Sequence, residues 1–290
     1  MSKLLITGSQ GLVGSNICKV LERDYPDIEI TKVKCDELGD IVGQRFDSII
    51  FASGYGQPLK FSEDKVRTLQ IQAMLPDTLF RVFLKPKGSF LFISTSEVYS
   101  GAKPPHKETD IGTTTPQHPR ACYIEGKRCG EAICMAYKEQ GYDVKIARLA
   151  LAYGEGTKKY DTRVINEFIE KGVKGNDINL MDEGSAIRTY CYVGDAVGML
   201  LDILFKGKDC VYNVGGDSTI SIKDLALKIG DMTKVNVTWG TSSGLVDAPA
   251  DVRLDMTKTL SEFPRTFVSL DEGLKRTIEY QKQLYANNRN

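Results

Sequence analysis

A glycine-rich turn close to the start of the chain constrains its fold more than any other feature. The turn runs Thr7-Gly8-Ser9-Gln10-Gly11-Leu12-Val13-Gly14-Ser15. It follows an apolar run at residues 3–6 and precedes apolar residues at helical spacing over 12–21, so it joins a buried strand to a helix. In such a turn, backbone N–H groups and the helix N-terminus can hold a dinucleotide pyrophosphate. A tight turn that merely needs small residues is the alternative interpretation of this G-x-x-G-x-x-G spacing.

The apolar runs that follow the turn predict the fold class. Runs at residues 28–33, 47–52, 88–93 and 144–149 are typical of buried strands, and helical segments lie between most of them. Strands that alternate with helices form βαβ units and a parallel sheet. We therefore predict an α/β fold, in which a Rossmann-type doubly wound parallel sheet is followed by a smaller mixed C-terminal lobe.

The strand ends of this sheet should form a cofactor crevice, because ligands bind beyond the carboxyl ends of parallel strands. The third strand ends in small residues, although a plain loop is the alternative for Ser53. After the second strand, Asp36 could hold the ribose 2′-hydroxyl of NAD, whereas Lys32 or Lys34 could meet the 2′-phosphate of NADP. We expect NAD, with NADP left open. Besides Asp36, the predicted cofactor contacts in the turn and third strand are Gly8, Gln10, Gly11, Leu12, Val13, Gly14, Ala52 and Ser53.

The division of the chain into lobes follows from where the regular alternation ends. Residues 1–155 are predicted to form the dinucleotide-binding Rossmann domain, and residues 186–215 should return to it. Residues 156–185 and 216–290 are predicted to form the substrate-binding lobe. No low-complexity linker separates the two parts.

Composition excludes several classes of partner. The formal net charge is zero, so no attraction to nucleic acid or membranes is implied. No signal-peptide pattern is present, and no apolar run is long enough to span a bilayer. The seven cysteines form no C-x-x-C pair, which indicates reduced thiols in a cytoplasmic protein. The two histidines, His106 and His118, lie in a polar loop and do not indicate a metal site.

A tyrosine and a lysine four residues apart carry the predicted chemistry. The spacing occurs at Tyr99/Lys103 and at Tyr123/Lys127, but two prolines after Lys103 exclude a helix there. Residues 120–140 have helical spacing, so Lys127 can sit beside the Tyr123 phenol. An adjacent ammonium and an oxidised nicotinamide both favour the phenolate, which makes Tyr123 a general base for alcohol oxidation or an acid for carbonyl reduction. A surface pair with no shared role is the alternative.

Two residues after the fourth strand should join this pair. Thr95 can supply a hydroxyl that hydrogen-bonds the same substrate oxygen as Tyr123. Glu97 falls in the predicted crevice, where it could act as a second base or a sugar-positioning carboxylate. A solvated or structural carboxylate is the alternative for Glu97. The predicted catalytic set is therefore Thr95, Glu97, Tyr123 and Lys127.

The glycine turn and the catalytic set together resemble the extended short-chain dehydrogenase/reductases, in the NAD-dependent epimerase/dehydratase family that modifies nucleotide sugars. The resemblance covers nearly the whole chain, including the Arg-x-aromatic-x-x-Val-x-Asp segment at 188–195 and a C-terminal helix start at 269–274. It implies a nucleotide-sugar substrate whose diphosphate contacts Arg188, and a cofactor that also contacts Tyr123 and Lys127. It further implies a homodimer, in which helices near residues 63–84 and 120–140 build a four-helix bundle.

Within that family, residues 94–99 and 119–128 are similar to the UDP-glucuronate decarboxylase branch. Dehydratases carry Asp-Glu after the threonine, and that aspartate is Ser96 here, so elimination of water is disfavoured and Ser96 becomes a substrate contact. The resemblance implies oxidation at the sugar C4, then decarboxylation or epimerisation through a 4-keto sugar. Leu69 and Leu151 depart from the family, which usually has asparagine at both positions.

Two other functions compete with this interpretation. The end of the second strand is similar to the fucose-synthase type of reductase, which favours an NADPH-dependent reductase of nucleotide 4-keto-6-deoxysugars. A non-catalytic dinucleotide-binding regulator can share the same fold. Such regulators usually lack the Tyr/Lys pair, which this chain has at Tyr123 and Lys127.

Overall fold

The computed structural model describes residues 2–240 and 251–286. In chain order its strands are β1 (Ser2–Thr7), β2 (Ile28–Val33), β3 (Phe46–Phe51), β4 (Leu84–Thr95), β5 (Asp143–Leu149), β6 (Ala152–Tyr153), β7 (Ile178–Leu180), β8 (Ile187–Tyr192), β9 (Val211–Val214), β10 (Ser218–Ser221), β11 (Val237–Trp239) and β12 (Asp251–Val252). Its α-helices are α1 (Leu12–Asp24), α2 (Pro58–Glu63), α3 (Lys65–Leu69), α4 (Leu75–Thr78), α5 (Ala121–Glu139), α6 (Val164–Val173), α7 (Val193–Lys206), α8 (Ile222–Thr233), α9 (Thr257–Glu262) and α10 (Leu270–Ala286).

A six-stranded parallel sheet organises the molecule, in the order β2-β1-β3-β4-β5-β9. From β1 the chain first moves outward to β2 and then crosses back to β3, so the strand order reverses between β1 and β3. A reversal of this kind opens a crevice at the carboxyl ends of the two strands. The predicted Rossmann-type fold is confirmed.

Both faces of this sheet are buried, which explains why its strands are continuous apolar runs. Along β1, Leu4 and Ile6 enter one core cluster, whereas Leu5 enters the cluster on the opposite face. On β3, Ile50 and Phe51 divide between the same two clusters. Side chains alternate between faces with a period of two, so a strand covered on both sides needs apolar residues at every position.

The remaining strands form smaller sheets. In one, β8 pairs with β10 in antiparallel fashion and with β12 and β6 in parallel fashion, and in the other β7 pairs with β11. The chain therefore leaves the large sheet after β5 and returns to it at β9. The lobe boundaries at residues 155, 186 and 215 stay a prediction, and part of the predicted lobe 216–290 lies outside the described residues.

The long helix predicted near residues 63–84 is broken into short pieces. Asp64 caps α3 by accepting a hydrogen bond from the Arg67 amide at 2.9 Å, and wide π-turns follow at Gln70–Met74 and Leu79–Phe83. Pro76 lacks an N–H and its ring presses on the carbonyl four residues earlier, that of Gln72. The wide turn before Pro76 relieves this clash, because the Leu75 amide bonds the carbonyl of Gln70 instead.

The other general predictions concern membranes, metals and thiols. Across residues 2–240 and 251–286, no helix is both long and apolar enough to cross a membrane. The same residues hold no group of three His, Cys, Asp or Glu side chains that could bind a metal ion. The seven cysteines are free thiols, and of these Cys129 is exposed.

Candidate active site

Two glycines of the turn are required by the fold itself. Gly8 has a φ of +72°, and a Cβ there would lie 2.4 Å from the carbonyl oxygen of Ala52. A Cβ on Gly14 would lie 2.3 Å from the carbonyl oxygen of Gly8. The β1–α1 turn therefore packs directly against the end of β3, and both positions need glycine for that approach.

Gly11 is not required by the fold, which makes it informative about a ligand. It caps α1 with φ −76° and ψ 168°, a conformation open to any residue, and a Cβ would come no closer than 3.4 Å to the Gly8 oxygen. The first turn of α1 has no side-chain cap and no acidic residue. Unpaired N–H groups and the positive end of the helix dipole attract a phosphate, so these residues fit a dinucleotide pyrophosphate.

The other residues of the turn that we predict to contact the cofactor differ in their burial. Gln10 is exposed, whereas Leu12 and Val13 are partly buried and pack against the core. Leu12 and Val13 can therefore meet a phosphate through their backbone N–H groups, while their side chains support the helix. The contacts of all these residues with the cofactor stay predictions.

A buried amide, that of Gln72, lies next to the loop that follows β3. Both polar atoms of the Gln72 side chain are buried and have no hydrogen-bond partner among the described residues. Gly54 has a φ of +129°, and a Cβ there would lie 1.7 Å from the Gln72 Nε2 atom. Ser53 is buried beside the Cys35 thiol. Buried amides normally have partners, so an unpaired one is a position where a polar ligand could bind.

The residues around the end of β2 that could contact the ribose are exposed. Asp36 is exposed, and β2 ends at Val33. Lys32 pairs with Glu22, and the Lys34 ammonium lies 2.6 Å from a carboxylate oxygen of Glu37. Both lysines that could meet a 2′-phosphate are thus paired with glutamates, although exposed ion pairs of this kind are weak. The contact of Asp36 with the ribose stays a prediction.

Tyr123 and Thr95 meet at the carboxyl end of β4. Tyr123 lies in the first turn of α5 and is 9% exposed. Burial raises the pKa of its phenol to about 12, and the nearby carboxylate of Glu97 adds to the rise. A hydrogen bond from the Thr95 hydroxyl acts in the opposite direction. The charges of Arg120 and Arg163 also favour the phenolate.

Lys127 is buried on α5, one helical turn after Tyr123, and its ammonium contacts the end of β4. Its ammonium donates to the carbonyl oxygen of Ile93 at 2.6 Å and lies 4.9 Å from the centre of the Phe92 ring. Burial lowers the pKa of Lys127 to about 7, against the opposing charge of Glu131. In this structure the ammonium is bound by a backbone carbonyl, and the effect of Lys127 on the phenol pKa stays a prediction.

Glu97 occupies a charged corner of the site. It accepts a hydrogen bond from Arg120, the residue just before α5. Burial raises the pKa of Glu97, and the guanidinium groups of Arg120 and Arg188 oppose the rise. Ser96 is 6% exposed and, with Glu97 and Asp251, lines a cavity of about 310 Å³. Glu97, Ser96 and Arg188 are thus brought together near Tyr123.

A buried ion pair between Arg148 and Glu131 stabilises the elements that carry these charged residues. Arg148 donates to Glu131 at 2.7 Å, and Ser94 donates to the other carboxylate oxygen of Glu131 at 2.5 Å. Arg148 also donates to the hydroxyl of Tyr99 at 2.9 Å. The network joins α5 to the ends of β4 and β5, so it holds the helix that carries Tyr123 against the sheet.

Residues that were not predicted from the sequence also reach the site: Phe61, Gln72, Arg120 and Arg163. Gln72 had a detectable signal, because it is a polar residue within the buried stripe of its helical segment. By contrast Leu69 is 39% exposed, and Leu151 packs on the core. Phe61 and Arg163 lie in segments with no periodic pattern that could have revealed them.

The arrangement supports proton transfer at a hydroxyl held between Thr95 and Tyr123, beside a surface that suits a phosphate-bearing cofactor. Glu97 adds a carboxylate whose pKa is raised by burial and held back by the charges of Arg120 and Arg188. Groups of this kind are typical of acid–base catalysis of alcohol oxidation and carbonyl reduction.

Comparisons with known proteins point to one family. A model of the NAD dependent epimerase/dehydratase family matches residues 4–215. UDP-glucuronic acid decarboxylase 1 of Danio rerio is 27% identical over 301 residues, which cover 96% of this chain and 72% of that protein. The Xenopus tropicalis protein of the same name is 28% identical over 312 residues, covering 99% of this chain and 74% of that protein.

Solved structures share the fold. RMD from Pseudomonas aeruginosa, complexed with NADPH, has a TM-score of 0.82 at 23% identity and covers 98% of this chain and 99% of its own. UDP-glucuronic acid 4-epimerase from Bacillus cereus, in complex with UDP-glucuronic acid and NAD, has a TM-score of 0.81 at 19% identity. That match covers 98% of this chain and 100% of the epimerase.

Proposed function

The chain belongs to the NAD-dependent epimerase/dehydratase family, and we propose that it acts on a nucleotide sugar through a 4-keto intermediate, as a UDP-glucuronate decarboxylase. The observation that carries the proposal is that Tyr123, Thr95 and Glu97 meet in one buried site. The Thr95 hydroxyl and the Glu97 carboxylate both act on the Tyr123 phenol. Serine at position 96, in place of the dehydratase aspartate, supports decarboxylation or epimerisation over elimination of water.

The cofactor is held at the glycine turn. Gly8, Gly11 and Gly14 seat the pyrophosphate, and the N-terminus of α1 faces its charge. Bound there, a nicotinamide would supply reversible hydride transfer at the sugar C4. Tyr123 bonds Thr95 at the end of β4, and Lys127 bonds Ile93 two residues earlier, so the nicotinamide half would extend toward this end of the sheet.

Tyr123 carries the proton that accompanies this hydride. Its phenolate takes the proton of the sugar 4-hydroxyl, while Thr95 donates a hydrogen bond to the same oxygen. Burial raises the phenol pKa to about 12, and the positive charge of an oxidised nicotinamide bound beside it would lower this pKa. The protonated phenol then returns the proton when the ketone is reduced.

The decarboxylation step depends on the charged corner. A ketone at C4 makes the C6 carboxylate part of a β-keto acid, which loses CO₂ because the electron pair moves onto the ketone oxygen. Arg120 and Arg188 supply positive charge on this side of the site, where an anionic sugar must be held. Glu97 and Ser96 orient the sugar ring, and Glu97 can supply the proton that C5 gains.

A reductase is the second candidate. The end of β2 is similar to NADPH-dependent reductases, and the RMD structure with NADPH shares the fold. An enzyme of this type would use Tyr123 as an acid toward a 4-keto sugar and would release its oxidised cofactor after each turnover.

One experiment separates the two candidates. The purified protein is analysed for bound cofactor by absorbance and mass spectrometry, then incubated with UDP-glucuronate and assayed for CO₂ and a UDP-pentose. Tightly held NAD with CO₂ release supports the decarboxylase. Protein that consumes NADPH with a 4-keto sugar and leaves UDP-glucuronate intact would support the reductase and refute the first proposal.

The homodimer is also proposed, not established. Val66 and Met74 are 67% and 65% exposed on the segment around α3, and Met135 is 38% exposed on the neighbouring α5. Apolar side chains on two adjacent helical segments suit a four-helix bundle between two copies. Light scattering should give twice the monomer mass, and Met74→Glu should shift it toward the monomer.

A further inference from the structure

The short helix α2 buries one side chain in the protein, that of Phe61. In α2, which the structure describes in full, Phe61 is 1% exposed and the other five residues are exposed. Leu59, two positions earlier, is 58% exposed. A segment with one buried anchor gains most of its local stability from that anchor, so the surroundings of Phe61 show what α2 is built to contact.

The anchor contacts the tyrosine predicted to carry the acid–base chemistry. The rings of Phe61 and Tyr123 stack with centres 4.8 Å apart and planes inclined by 5°. The guanidinium carbon of Arg120 lies 5.4 Å from the centre of the Phe61 ring, and Arg120 donates to Glu97. One ring therefore touches both Tyr123 and the arginine that pairs with Glu97.

Hydrogen bonds also fix the backbone of Phe61 against α5, the helix that carries Tyr123. Its carbonyl oxygen accepts a hydrogen bond from the thiol of Cys122 at 3.4 Å, and Cys122 directly precedes Tyr123. The hydroxyl of Thr68 on α3 lies 3.3 Å from the same carbonyl oxygen. Phe61 is thus fixed from two elements, which gives its ring a defined orientation over the phenol.

We propose that Phe61 is a positioning residue for the redox step, holding the Tyr123 phenol and the Arg120 guanidinium in one stack so that they face Thr95 and Glu97. The inference rests on the proposed acid–base function of Tyr123. A stacked ring restricts rotation of the phenol and covers it from water. Without the ring, the phenol loses its fixed orientation toward the sugar hydroxyl, and a small misplacement of a reacting group costs much of the rate.

The test compares three substitutions of the anchor with one exposed control. Phe61→Ala should lower kcat by about 100-fold with KM little changed, as expected for a lost alignment. Phe61→Leu keeps an apolar side chain but has no aromatic ring, so its kcat should remain well below that of the parent. Phe61→Tyr keeps the ring and should restore most of kcat, while Leu59→Ala should leave kcat unchanged.

A second measurement does not depend on turnover. Cys122 is 7% exposed and bonded to Phe61, so its rate of alkylation, located by mass spectrometry, reports whether the stack is closed. Phe61→Ala should speed this labelling, whereas exposed Cys129 should react equally in every variant. Parent-like kcat in Phe61→Leu, or unchanged Cys122 labelling in Phe61→Ala, overturns the inference. A parent enzyme inactive on nucleotide sugars would refute the proposed function instead, and labelling would still test the stack.

Discussion

Replacing Gly11 with alanine separates what the glycine turn does for the fold from what it does for a ligand. The backbone at Gly11 has φ −76° and ψ 168°, and the new methyl would lie 3.4 Å from its nearest neighbour, the Gly8 oxygen. Alanine is a poorer helix N-cap than glycine, but it also restricts the unfolded chain. These opposing effects are each about 0.5–1 kcal/mol, so the free energy of unfolding should change by less than about 1 kcal/mol.

The same methyl should strongly weaken cofactor binding. It would stand at the N-cap of α1, next to the N–H groups where the pyrophosphate is proposed to bind. A hydrogen bond from an N–H group to a charged acceptor contributes about 1.5–3 kcal/mol. Losing one such bond raises the dissociation constant by roughly 10- to 150-fold.

The assay pairs urea unfolding with calorimetric titration of NAD and of NADPH. Gly14→Ala is the matched control, because its Cβ would lie 2.3 Å from the Gly8 oxygen. That overlap should destabilise the fold by about 1–3 kcal/mol, whether or not a ligand is present. Unchanged affinity for both dinucleotides in Gly11→Ala would refute the seating of the phosphate over Gly11.

Three further predictions follow from the buried groups around the site. Tyr123→Phe should lower turnover by about 100-fold or more through loss of the acid–base group, while calorimetry should find cofactor affinity little affected. Because the pKa of Lys127 is lowered to about 7 from its usual 10.5, the unfolded chain binds an extra proton between these values. Stability should therefore rise with pH across that window, and urea unfolding should find this rise absent in Lys127→Met. Arg148→Met leaves Glu131 buried without its partner, and should reduce the free energy of urea unfolding by about 3–5 kcal/mol.

Each of these predictions has a result that would contradict it. Parent-like turnover in Tyr123→Phe would remove that residue from the chemistry. If stability rose with pH equally in the parent and in Lys127→Met, groups other than Lys127 would be responsible for the rise. A loss in Arg148→Met below about 1 kcal/mol, in the range of exposed pairs, would mean that water reaches Glu131. Glu131→Gln in the Arg148→Met background should recover part of the loss, because it removes the uncompensated charge.

The β1–α1 region was predictable because the sequence patterns that indicate it are local. A strand, a tight turn and a helix within the first two dozen residues each depend on contacts between near neighbours, and β1, α1 and the turn formed as expected. The position of Tyr123 and Lys127 on one helix was predictable for the same reason, since spacing alone determines which residues share a face.

Only the tertiary structure decided how these side chains are used. Lys127 could have faced the phenol, but the end of β4 presents the Ile93 carbonyl to its ammonium. The stack of Phe61 on Tyr123 brings together helices that no local pattern connects. The sequence by itself therefore determined the fold class, the glycine turn and the helix that carries Tyr123. The charge state of the site depended on burial and on partners distant in the chain, because a pKa responds to every group that surrounds it and not to the spacing along one helix.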